Sequence, residues 1–188
     1  MEQDHRVSAG WRLFDEARRL IPLGTGTHSK AARLRGVEPP YYVRGQGAYL
    51  WDLDGNRYID FRNALGPITL GYSYPPVQEA IARQLQNGIV FSAPHPLEVE
   101  VARELVEILP GAQMVRYLKT GGEAMAAAIK LARAYTGREH IVSCGYHGWL
   151  QTLEGQQGIL QAARDRCHAY RYGDIEGLET VLNRYRGE

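Results

Sequence analysis

The chain has 188 residues, enough for one large domain or most of two, and its 22 basic and 21 acidic side chains nearly cancel. That balance excludes the electrostatic footprint of a nucleic-acid or membrane-surface binder. Two cysteines, a charged start ("MEQDHRVSAGWRLFDEARRL") and no apolar run near the roughly 20 residues of a membrane helix predict a globular cytoplasmic chain without a disulfide scaffold, a signal peptide or a membrane span.

In chain order, residues 7–20 carry Trp11, Phe14, Ala17 and Leu20 along one helical stripe. "IPLGTGTHSK" breaks that pattern with proline and glycine and reads as a loop. "AYLWDLDGNRYIDF" predicts two short strands around an Asp-Gly-Asn turn. Glycine follows Asp54 too soon for a calcium loop, so a hairpin is the better reading. After Pro75 and Pro76, "VQEAIARQLQNG" reads as a helix stopped by Gly88, and "PLEVEVARELVEILPG" repeats that logic. A strand in "MVRYL", from Met114 to Leu118, then hands over to Thr120-Gly121-Gly122 and an alanine-rich helix from about 122 to 135. The strand "HIVSCG" and a loop holding "YHGW" follow. A short helix near 158–164, a strand near 168–171 and a last helix capped by Asp174 complete the chain. Strands alternating with helices predict a parallel sheet covered on both faces.

Two stretches carry chemistry. At Thr120-Gly121-Gly122 a helix begins with a hydroxyl and two side-chain-free residues, so its unsatisfied N–H groups and partial positive charge suit a phosphate. The alternative is a tight turn whose glycines only reverse the chain, with Glu123 as cap. The spacing matches neither a Walker loop nor a GxGxxG fingerprint, so no nucleotide is implied. The second stretch is Tyr146-His147-Gly148-Trp149, which also follows a strand. In an open parallel sheet both would face the crevice at the carboxyl ends of the strands. A tyrosine there can stack on a flat ligand, and a histidine can bond to it or to a neighbour. An aromatic loop packed on the surface is the alternative. Cys144, His147, Cys167 and His168 have zinc-ligand chemistry but not a recurrent zinc spacing, so no metal is expected.

The segments "GQGAYLWDLDGNRYIDF", "LGPITLGYSYPPVQEAI", "MVRYLKTGGEAMAAAIKLARAYTGRE" and "CGYHGW", in this order, resemble the class III aminotransferases. The similarity extends to the glutamate-1-semialdehyde aminomutase branch of that family. The resemblance implies an α/β fold, the N-terminal portion of a fold type I (aspartate aminotransferase-like) enzyme, with a mostly parallel sheet flanked by helices plus an N-terminal helix and β-hairpin. Residues 1–65 would belong to the small domain and 66–188 to the first part of the large, cofactor-binding domain. It further implies pyridoxal 5'-phosphate as cofactor, small-molecule amino donor and carbonyl acceptor as partners, and a homodimer with sites at the subunit interface.

Carried over by position, Thr120, Gly121 and Gly122 would hold the cofactor phosphate, Tyr146 would stack on its ring, and His147 would sit beside it. Gly122 lacks a hydroxyl that the family has. Ser29 matches a substrate-binding serine, whereas Arg33 stands one place from the family's arginine, and Leu65 replaces a tryptophan of the aminomutases. These departures favour an aminomutase-like transaminase. The family's Schiff-base lysine and ring-pairing aspartate fall beyond Glu188, and Lys30, Lys119 and Lys130 are no substitutes. The expectation is thus an N-terminal fragment or truncated reading frame without a catalytic residue of its own. A non-catalytic scaffold retaining half of the fold is the alternative.

Overall fold

The computed structural model describes residues 7–148, 150 and 158–188. Contacts divide the chain into two compact units, Met1–Ala93 and Pro94–Glu188.

In the first unit, α1 spans Ser8–Leu20 and buries Trp11, Phe14 and Ala17 of the predicted stripe, whereas Leu20, its last residue, is exposed. The core is small: Val7, Trp11 and Phe14, with Ala32 and Tyr41 packed against them. Trp11 and Phe14 meet edge to face at 5.3 Å, and the Trp11 indole N–H donates to the Glu38 carbonyl at 3.0 Å. Helix α1 has no side-chain cap of its own, since Val7 holds the N-cap position. Asp54 supplies it from the hairpin turn: the N–H groups of Ala9 and Gly10 donate to its carboxylate at 2.8 and 3.0 Å.

Strands β1 (Tyr42–Gln46), β2 (Tyr49–Asp52) and β3 (Arg57–Ile59) form an antiparallel meander. Strands β2 and β3 are the predicted hairpin; β1 was not anticipated. Asp52, 2% exposed, ties the turn together by accepting from the Asn56 N–H (2.7 Å), the Asn56 side-chain amide (2.9 Å) and the Tyr58 hydroxyl (2.8 Å). Helix α2 (Pro75–Leu85) starts on its two prolines, where a missing N–H costs nothing.

The second unit holds α3 (Pro96–Ile108), α4 (Gly121–Thr136), β4 (Ile141–Ser143), α5 (Gln161–Arg164), β5 (Cys167–Ala169) and α6 (Ile175–Arg184). Strands β4 and β5 pair in parallel, Ile141 with Cys167 through Ser143 with Ala169. Asp174 caps α6 as expected, accepting from the Gly177 N–H at 2.8 Å. The strand expected at Met114–Leu118 does not form. A strand exists only through backbone pairing, and among the described residues no neighbour pairs with this segment. No helix among the described residues is long and apolar enough to cross a membrane.

At the start of β4, His140 Nδ1 lies 2.7 Å from His168 Nε2, and the Tyr185 ring stacks on both imidazoles at 4.5 and 3.9 Å. Glu188 Oε2 is 3.5 Å from His140 Nε2, and Glu139 pairs with Arg166 alongside. Facing ring nitrogens this close share one proton; a second would set N–H against N–H. Burial, then His140, then Arg184 hold His168 below the ordinary imidazole range. A depressed value means that neutral His168 stabilises the fold. That contribution is complete above about pH 6.5 and is lost as pH falls through the folded value. The thermal midpoint should therefore fall on acidification from about pH 8 to about pH 5, and His168→Gln should shrink the drop. An equal drop in both proteins refutes this account of the pair.

Candidate functional site

Helix α4 opens with a reciprocal cap. The Thr120 hydroxyl oxygen accepts the Glu123 N–H at 3.2 Å, and the Glu123 carboxylate accepts the Thr120 N–H at 3.0 Å. These bonds use the donors on either side of the glycines. The N–H groups of Gly121 and Gly122, the first two of the helix, have no acceptor among the described residues. A methyl group placed on Gly121 would meet nothing within 4 Å, so the space in front of these donors is open. The Thr120 hydroxyl has spent only a lone pair on the cap and keeps its proton to donate. Two backbone donors, one hydroxyl donor and a helix N-terminus together form an anion cradle.

The loop after β4 lies against this cradle. A methyl group built on Gly148 would sit 2.9 Å from the Cα of Gly122, so the two backbones touch. The structure thus brings together the two segments singled out in the sequence, Thr120–Gly122 and Tyr146–Gly148; Trp149 lies outside the described residues. The His147 Nε2 is 2.5 Å from the Cys144 carbonyl oxygen. A carbonyl can only accept, so Nε2 carries a proton, and Nδ1 is left for another partner. Tyr146 is 68% exposed, leaving its ring available for a ligand. His168, grouped with His147 and the cysteines as zinc chemistry, is instead bound to His140.

A separate cavity of about 610 Å³ lies within the first unit. Ser29 and Arg33 do not line it, although the sequence places them at the substrate. The backbone N–H groups of Arg33 and Leu34 both donate to the Glu38 carboxylate, turning that segment outward. Lys30 and Arg62 line the cavity instead, and an Arg62 Nη2 donates to the Ser29 carbonyl at 3.4 Å. Arg62 directly follows "YIDF" in the sequence.

The acids of the cavity are already engaged. Asp60 accepts the Tyr72 hydroxyl at 2.7 Å and the N–H groups of Arg62 and Ala64 at 2.7 and 3.3 Å. The Tyr72 bond holds the Asp60 carboxyl below the usual carboxylate range. Burial, reinforced by Asp60, pushes the Tyr72 hydroxyl up to about 12, so it stays protonated. Arg44 is drawn off by Trp51, over whose ring it lies at 4.3 Å, and by Gln46. Below the cavity, Asn63, Ala64 and Leu65 hold φ values of 49°, 50° and 72°, a left-handed turn built without glycine.

The sequence profile of the class III aminotransferases matches residues 32–156. The chain belongs to this family. Among related sequences, the glutamate-1-semialdehyde 2,1-aminomutase of Desulforudis audaxviator is 44% identical over 201 residues, covering 98% of this chain and 46% of that protein. Among solved structures, an omega-transaminase from Sphaerobacter thermophilus superposes with a TM-score of 0.86 at 33% identity, over 98% of this chain and 46% of that one. A transaminase with PLP bound gives a TM-score of 0.85 at 29% identity, over 95% of this chain and 45% of that one. The fold is accordingly that of the fold type I transaminases. The class III chain described here spans about half the length of the relatives that it matches.

Two expected outcomes test this geometry. In this class III chain, Thr120→Ala should lower stability by about 1 kcal/mol through loss of the cap, whereas Thr120→Ser should keep it; chemical denaturation measures both. Ala64→Gly should raise stability by roughly 0.5–1 kcal/mol, because a left-handed residue loses its β-carbon strain. A destabilised glycine variant in the same assay would show the turn to be unstrained.

Proposed function

We propose that this chain supplies the cofactor-phosphate and ring contacts of a pyridoxal-phosphate enzyme that transfers amino groups, as an aminotransferase or an aminomutase. The observation that carries the reading is the start of α4. Two backbone donors stand free there, open space lies before Gly121, and the Tyr146 loop is in contact with the same turn. Those residues fit the group. Gly121 and Gly122 would bind its phosphate through their N–H groups, and Thr120 through its hydroxyl. Tyr146 would stack on the ring, with His147 Nδ1 beside it within reach of a hydrogen bond. When bound, pyridoxal phosphate supplies the electron sink through which an amino group can be moved.

On the substrate side we propose the segment from Ser29 to Arg33, with Lys30 and Arg62 in the cavity as the cations available to a substrate carboxylate. Leu65, in place of an aromatic residue, lines that cavity and favours intermolecular transfer by an aminomutase-like transaminase. In the whole enzyme, residues 1–65 would belong to the small domain and 66–188 to the cofactor-binding domain. The whole enzyme would act as a cytoplasmic homodimer. Large apolar side chains left on the surface, such as Phe61 at 91% and Tyr135 at 90% exposure, support burial against further protein.

Titration of the 188-residue chain with pyridoxal phosphate tests the reading. Gly121→Val should weaken binding most, by filling the space in front of the donors. Thr120→Ala should cost roughly 1.5–3 kcal/mol, one charge-assisted bond, and Tyr146→Ala about 1 kcal/mol if stacking alone is lost. Unchanged affinity in all three variants would mean that the glycines serve only the turn.

A further inference from the structure

The loop after β4 is tied at both ends. Its start is held by the His147 ring, whose Nε2–H donates to the Cys144 carbonyl at 2.5 Å. Its end rests on α4 through backbone alone, because Gly148 and Gly122 have no side chains to interpose. Tyr146 lies between these two ties. The contacting glycines are not equivalent. Gly148 has φ of 104°, and a methyl group on it would lie 2.9 Å from the Cα of Gly122, closer than real β-carbons approach backbone. Gly122 is free of both constraints: its φ is not left-handed, and a methyl group on it would first meet Leu150 Cδ1 at 3.6 Å, an ordinary contact.

We propose that Gly148 is a positioning residue, whose side-chain-free contact with Gly122 sets the separation between the Tyr146–His147 pair and the Thr120–Gly122 donors. The inference rests on the reading of those two segments as cofactor-holding. A β-carbon at position 148 has to withdraw from Gly122 by about 1 Å to reach ordinary contact distance, and Tyr146, two residues away, moves with the loop. The donors of Gly121 and Gly122 belong to the helix and stay where they are. Loss at Gly148 therefore separates the two halves of the ligand, sparing phosphate and losing the ring. Displacements of this size at a binding group are costly out of proportion to their length.

The test uses the full chain and two probes, inorganic phosphate and pyridoxal phosphate, with amide and aromatic NMR signals as readout. Gly148→Ala should leave the phosphate titration of the Gly121 and Gly122 amides within about twofold. It should weaken pyridoxal phosphate by roughly tenfold and abolish the ring-current shift that the cofactor induces at Tyr146. Gly173→Ala, at a glycine that also has positive φ but nothing within 4 Å of an added methyl group, should keep both ligands and the Tyr146 signature. Gly148→Asn, which tolerates positive φ better but still carries a β-carbon, should reproduce the alanine result and guards against a variant that does not fold. Without any ligand, residual dipolar couplings of residues 145–148 relative to α4 should change in Gly148→Ala and not in Gly173→Ala. Unchanged couplings overturn the positioning role whatever binds. Equal loss of both probes in Gly148→Ala overturns it too, since that marks general damage to the turn. A parental chain that binds pyridoxal phosphate no better than phosphate, while its couplings still respond to Gly148→Ala, defeats the cofactor reading and leaves the positioning role standing.

Discussion

The contact of two backbones at Gly122 and Gly148 is the constraint on which the candidate site depends. An anion cradle alone is a common feature of helix starts. An aromatic loop alone is a common surface feature. Their direct apposition makes a site with a polar end and a flat, apolar end, and that apposition depends on Gly148 having no side chain at the contact. The reciprocal cap formed by Thr120 and Glu123 works in the same direction. It satisfies the donors flanking the glycines and leaves two N–H groups for a ligand, so stability and binding draw on different atoms of one turn.

In the first unit the organising theme is where carboxylates spend their charge. Asp54 caps α1 from the hairpin turn, Asp52 closes that turn, Glu38 holds the N–H groups of residues 33 and 34, and Asp60 ties the loop that follows β3. Each acid is consumed by backbone or hydroxyl donors of the fold. Among the described residues, Lys30 and Arg62 line the cavity without an acidic partner, so its positive character comes from structural use of the acids rather than from an excess of bases.

Much of this was legible in the sequence because the signals are local. Helical stripes, the Asp-Gly-Asn turn, the proline starts and the Thr120–Glu123 cap each lie within a few residues of one another. What escaped depends on distant partners. Strand β1, "YVRGQ", has its strand signal weakened by Gly45 and is fixed by pairing with β2. The expected strand at Met114–Leu118 has strand-like residues but no partner among the described ones. The Asp54 cap spans 45 positions in sequence, and nothing in "DLDGN" announces it. Arg33 and Arg62 show the same dependence: Glu38, five residues on, holds the N–H of Arg33, and only the folded first unit shows that Arg62 lines the cavity.

The stretch from Asp60 to Tyr72 is clamped where it leaves and rejoins the meander. The Tyr72 hydroxyl grips Asp60, and Tyr72 and Gly47 exchange both backbone bonds at 2.8 Å, with the tyrosine ring lying over Gly45. Arg62 and Leu65 are carried between those clamps. A segment closed in this way can exchange its inner residues, or vary in length, while its anchors remain fixed. The fold can thus alter the walls of its cavity by local mutation without rebuilding the sheet beneath, so the cavity's shape can change while its frame stays fixed.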